Sequence, residues 1–199
     1  MNSIAETDLP NFGGGRSTTT IKINPDLLMP QRPTEGQYRG SRSLASISTV
    51  QPTWAIYRVL IRRSGVTFPE IYVGKTTNMQ RRVADYLEMV TRLVARHEQF
   101  DVREDKNPYR FVHYAMARAA MLKDEIEIEY YLYDASDKWK LERRELLELV
   151  ALVNWCSSKD IYDHHCLNAL PALTRSTEEL STPRWAEVRN QLLNAAMGQ

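Results

Sequence analysis

The stretch IYVGKTTNMQRRVADYL, Ile71 to Leu87, opens with the β-branched and aromatic residues of a strand and closes with helical spacing. Between the two lie Thr76, Thr77 and Asn78, residue types that cap helix starts. The same junction gathers Gly74, Lys75, Arg81 and Arg82, with Tyr72 and Tyr86 to either side. A glycine lets the backbone turn sharply and come close to a ligand. The first N–H groups of a helix point outward with partial positive charge. Lys75 adds a compact point charge, and Arg82 adds a planar fork of donors suited to phosphate. This is an anion site. The pattern GxxxxGK[ST] is absent, so it is not a P-loop.

Working outward, WAIYRVLIRR from Trp54 reads as a strand, and SGVTFPE, with Gly65 and Pro69, as a loop. The two strands therefore form a hairpin. The helix after it is expected from about Met79 towards Gln99, with Val83, Tyr86, Leu87, Val90, Leu93 and Val94 inside. RFVHYAMARAAML reads as a second helix, packed through Phe111, Tyr114, Ala115, the aliphatic part of Arg118 and Leu122. EIEIEYYLYD alternates as a strand does, with Ile126, Ile128 and Leu132 on one face. SDKWKLERRELLELVALVNWC reads as a long amphipathic helix capped by Ser136 or Asp137, and a last helix is expected near residues 183–196. The order strand, strand, helix, helix, strand, helix predicts an α+β fold: a small three-stranded mixed or antiparallel sheet flanked by helices. It excludes a doubly wound nucleotide-binding fold, in which strand and helix alternate throughout.

At 199 residues and 43% apolar, the chain fits one domain with a real core plus appendages. Residues 1–50 have few periodic apolar positions and read as a flexible N-terminal arm. Within it IKINPDLLMP could dock as an extended strand, but disorder is the expectation. Residues 51–170 form the folded domain, and 171–199 a C-terminal helical extension. The net charge of +1 gives no global field, so an anion site must arise by local clustering. No signal-like or membrane-spanning run is read, and two cysteines make no disulfide framework, so a soluble, cytoplasmic protein is expected.

Ala55-Ile56-Tyr57 on the first strand, Tyr72-Val73-Gly74 on the second, then Lys75, Asn78, Arg82 and Tyr86 resemble the GIY-YIG nuclease family. The resemblance covers roughly residues 54–170. The stretch YVGKTTNMQRRVADYL looks especially like the incision domain of the bacterial excision-repair nuclease, while length and terminal additions are more like the restriction and phage-encoded members. Ala55 stands where the family has its first glycine, and the loop between the two tyrosine segments is longer than usual. Arg82, not the adjacent Arg81, matches the family's spacing together with Tyr72, Lys75 and Tyr86.

The resemblance implies a DNA endonuclease that hydrolyses phosphodiesters with Mg²⁺ or Mn²⁺. It assigns proton acceptance from water to Tyr57 or Tyr72, with Lys75 tuning that acceptor or contacting phosphate. It assigns phosphoryl charge to Arg82, and phosphate binding or orientation of Arg82 to Tyr86. It also implies a metal-binding glutamate on the long helix. Trp139, Leu146, Leu149, Val150 and Val153 are taken as that helix's apolar face, which places Glu142 within the stripe and Glu145 nearer its edge. A carboxylate in an apolar stripe needs a partner, and a metal supplies one, so Glu142 is preferred over Glu145. Glu148 reads as a surface charge. Asn168, or alternatively Asn154, looks like the family's asparagine that positions the site.

Cys156, His164, His165 and Cys166 lack zinc-ligand spacing, and His113 reads as a partnered, part-buried histidine. Tyr130, Tyr131 and Tyr133 are expected to pack the sheet. Two other classes remain open: a DNA-binding relative that does not cut, and a helical interaction protein. DNA is the expected partner, no membrane is, and a homodimer is left open.

Overall fold

The computed structural model describes residues 9–29, 50, 52–96, 110–133, 138–161 and 165–168. The expected C-terminal extension, His164, and residues 1–8 and 30–49 of the expected arm lie outside the described residues.

Four strands form one antiparallel sheet: β1 (Thr19–Ile23), β2 (Ala55–Arg62), β3 (Glu70–Thr76) and β4 (Glu125–Leu132), in the order β1-β4-β2-β3. The hairpin β2–β3 and the alternating strand β4 are where the sequence places them. The strand beyond the expected three is β1, which lies inside the segment read as an arm. It pairs with β4 from Thr19↔Tyr130 to Ile23↔Ile126. A short 3₁₀ turn, Pro25–Leu28, follows it, opened by the Asn24 side chain accepting from the Asp26 N–H, and Leu28 is fully buried. Residues 19–28 are therefore an integral part of the sheet and core.

Three helices cover the sheet: α1 (Met79–Arg96), α2 (Phe111–Leu122) and α3 (Lys138–Lys159). Directly opposed residues of an antiparallel pair share a face, and alternate residues lie on opposite faces. One face carries Tyr57, Val59, Ile61, Tyr72, Ile126 and Ile128 and packs against α1 and α2. The other carries Leu60, Ile71 and Val73 and meets Leu149, Leu152, Val153 and Cys156 of α3. All six inner-face residues expected of α1 are buried. Leu122, expected inside, is exposed, and α2 buries Val112, Met116, Ala119 and Ala120 instead. Leu122 belongs to the last turn, where the chain leaves through Lys123 in a left-handed conformation.

The N-terminal residues fasten to the α3 side. Gly13, Gly14 and Gly15 have φ of 83°, 57° and 84°, a run that side chains would strain. The Gly13 N–H donates to Glu148 Oε1 at 3.2 Å. The same oxygen accepts from the Tyr131 hydroxyl at 2.9 Å and from Arg144 at 2.6 Å. Glu148, read as a surface charge, is thus buried, and three donors compensate its desolvation. Among the described residues no helix is long and apolar enough to cross a membrane.

Candidate active site

The β2–β3 register sets Tyr57 opposite Gly74 and Val59 opposite Tyr72. Both tyrosines therefore project to the α1/α2 face, with ring centroids 6.2 Å apart. Gly74 lies inside β3, not at a turn as expected. Its role is room: a Cβ there would sit 2.6 Å from the Tyr57 hydroxyl and 2.9 Å from the Tyr72 ring.

Helix α1 begins where the sequence places it. The Asn78 side chain caps it by accepting from the Arg81 N–H at 2.9 Å. Arg81 is exposed. Tyr86 reaches back to the hairpin, its hydroxyl 3.0 Å from that of Tyr57 and the two rings edge to face. Tyr57 is 1% exposed, and burial pushes its pKa far up. Burial does the same to Tyr86. The charge of Arg82 opposes both shifts. Arg82 Nε is buried with no hydrogen-bond partner among the described residues. A desolvated donor of this kind calls for an acceptor.

Lys75, one residue past Gly74, alternates to the α3 face and forms an ion pair with Glu145. The Glu145 charge is also felt at the Tyr57 hydroxyl. The carboxylate that meets this cluster is therefore Glu145. Glu142, preferred from the sequence, is 42% exposed and pairs along the helix with Lys138 at 3.8 Å. The expected face of α3 was tilted by Trp139, which is 51% exposed. The residues that pack the sheet include Leu141, Leu149, Leu152 and Cys156, and Glu145 lies one turn from both Leu141 and Leu149.

Asn168 approaches β3 from its outer edge. Its Oδ1 accepts from the Val73 N–H at 2.8 Å, and its Nδ2 donates to the Val73 carbonyl at 2.7 Å. Leu167 N–H donates to the Ile71 carbonyl at 2.8 Å. The segment His165–Asn168 thus satisfies edge groups of β3 that would otherwise be open to another strand. Asn154, the alternative, is exposed on α3.

Two further residues join the cluster without being read as site residues. Arg110 caps α2, and its Nη1 donates to the Tyr72 hydroxyl at 3.1 Å. His113 stacks on Tyr86 with centroids 5.2 Å apart, and its Nδ1 accepts the Arg110 N–H at 2.7 Å. Burial first, then Arg110 and Arg82, lowers its pKa to about 4. The imidazole is neutral at pH 7, with its proton on Nε2. An R-x-x-H pair at a helix start was visible, but nothing in it points across 38 residues to Tyr72.

The basic residues at the far end of β2 are otherwise engaged: Arg62 pairs with Glu127 and Arg63 with Glu70. Tyr130 and Tyr131 are buried in the sheet's packing. The molecule is thus an α+β domain whose hairpin end gathers three tyrosines, two arginines, a lysine and a carboxylate. No family model, curated protein or solved structure matches the chain.

Proposed function

We propose that the protein is a divalent-metal-dependent endonuclease of the GIY-YIG type, hydrolysing phosphodiesters of DNA. One observation carries the reading. Tyr57, Tyr72 and Tyr86 converge with Arg82 on one side of the β3 end, while Lys75 and Glu145 close its edge. Separate stretches of chain bring together an anion-binding cation pair, phenolic proton acceptors and a hard carboxylate.

The donor chemistry fits Mg²⁺, which keeps several waters and binds through one or two carboxylates plus substrate phosphate. Glu145 would hold the ion, in exchange for or beside its contact with Lys75. Bound there, the metal supplies Lewis-acid stabilisation of the leaving 3′ oxygen. The protein's own groups do the rest. Arg82, with its Nε unpartnered among the described residues, takes the phosphoryl oxygens and stabilises the charge that develops on them. Tyr57 is a poor proton acceptor, because its hydroxyl is buried and bonded to Tyr86. It holds Tyr86 beside Arg82. Tyr72, whose oxygen accepts from Arg110 Nη1, is the acceptor for the proton of the attacking water when it is the phenolate, and becomes the neutral phenol on taking it. Lys75, freed from Glu145, is left to contact phosphate. Asn168 fixes Val73, one residue before Gly74.

The Lys75–Glu145 pair also favours a second reading. If the pair is purely structural, the same site binds DNA without cutting it.

Supercoiled plasmid incubated with Mg²⁺ or with chelator separates the two. The expected outcome is metal-dependent nicking. Glu145→Gln should slow it at least about 100-fold, the order of loss for a charge-stabilising group, and leave DNA binding within a few-fold. Glu142→Gln should cut at close to the normal rate. DNA binding without any nicking supports the second reading. A dead Glu142→Gln beside an active Glu145→Gln would remove the assignment to Glu145.

A further inference from the structure

Several arginines of this domain have carboxylate partners. Arg58 is paired with Glu129, Arg62 with Glu127, Arg63 and Arg118 with Glu70, and Arg144 with Glu148. Arg110 has none among the described residues. Its contact is the Tyr72 hydroxyl at 3.1 Å, and the residue is exposed. Arg82 has no carboxylate among the described residues either, and both guanidiniums act on the same buried histidine, His113. Two cations without a carboxylate partner among the described residues thus flank one tyrosine cluster. A bound anion would supply the counter-charge that neither has among those residues.

A guanidinium offers five N–H donors in a rigid fork. With Nη1 on Tyr72, the edge formed by Nε and Nη2 has no partner among the described residues. That edge matches two oxygens of one phosphate. We propose that Arg110 is a second phosphate-binding residue of this site, holding a backbone phosphodiester of bound DNA through its free edge while Nη1 fixes the Tyr72 hydroxyl. This rests on the reading of the site as one that takes DNA. Arg110 lies outside the residues that carry the nuclease resemblance. Phosphate contacts position the backbone and carry no sequence information, so Arg110 sets register and not recognition.

The test is equilibrium binding of a fluorescent DNA duplex, without divalent metal, across a series of salt concentrations. Each neutralised phosphate contributes about 0.9 to the slope of log affinity against log salt. Arg110→Gln keeps a donor for Tyr72 and loses the charge. It should bind about tenfold more weakly, the size of one charged hydrogen bond, with a slope shallower by about one. Arg110→Lys should restore the slope, because one charge returns. It also serves as the reporter if Arg110→Gln melts early. Arg92→Ala, roughly 15 Å along α1 from Arg82 and paired with Glu88, should leave the slope unchanged.

An unchanged slope in a folded Arg110→Gln protein overturns the assignment of Arg110 and leaves the nuclease reading standing. So does an equal loss in Arg92→Ala, which would show a diffuse field. A shallower slope in Arg110→Gln, with no nicking by the wild type, supports Arg110 and overturns the nuclease reading. A wild type that binds no duplex overturns both.

Discussion

Gly74 is small because Tyr57 faces it across the ladder. The Tyr57 ring is buried and its hydroxyl is held by Tyr86, so it has nowhere to move. Gly74→Ala would bring a methyl to 2.6 Å from that hydroxyl. The expected cost is about 1–3 kcal/mol of stability, the range for overpacking a filled core, read by denaturant unfolding. A second expectation follows from displacement of Tyr57 and Tyr72: at least about 100-fold slower plasmid nicking, because misplacement by about 1 Å is costly. A Gly74→Ala protein with normal stability would show that the ring yields. The residue type was legible in the sequence, and its reason was not, since the clash depends on a cross-strand register that spacing along one strand does not show. The glutamate had the opposite difficulty. Three candidates three residues apart on one helix differ only in azimuth. One exposed tryptophan, Trp139, was enough to rotate the inferred face from Glu145 to Glu142.

At the scale of elements, β4 and the three described helices follow from apolar periodicity, while β2 and β3, buried on both faces, follow from their density of β-branched and aromatic residues. β1 does not. Its sequence is TTIKI, and of its residues only Ile23 is fully buried while Ile21 is partly so. An edge strand has one neighbour, and a polar one is hard to tell from a solvated arm. What ties it down comes after it: Asn24 caps the Pro25–Leu28 turn, and Leu28 enters the core shared by α1 and α2. Leu28→Ala should therefore cost about 2–5 kcal/mol in denaturant unfolding, the range for a leucine truncated in a core. If residues 19–28 were a detachable arm, the change would lie within about 0.5 kcal/mol, as for a surface substitution. Asn168 shows the matching case at the other edge. Its family role was inferred from a short C-L-N-A-L string, whereas its position rests on two hydrogen bonds to one residue of β3.

For the whole molecule, the sheet divides the charge-bearing groups into two layers, and the site forms where the layers meet at the open end of β3. Such a site stores electrostatic cost in the fold, and His113 is where that cost is measurable. It faces Arg110 from its own helix, and Arg82 and Tyr86 from α1. Its pKa falls from 6.5 to about 4 on folding, led by burial. The sign follows directly. Between those values the unfolded chain binds a proton at this position and the folded protein does not, so stability is complete above about 6.5 and declines as pH falls towards 4. The difference between 6.5 and about 4 bounds that decline at about 3 kcal/mol. His113→Gln keeps an acceptor for the Arg110 N–H and cannot titrate. Its unfolding free energy should fall less steeply than that of the wild type between pH 6.5 and 4, by up to one proton's worth of slope. Carboxylates titrate alike in both proteins, so the difference isolates the imidazole. Parallel curves for the two proteins across that range would mean that His113 is not held neutral.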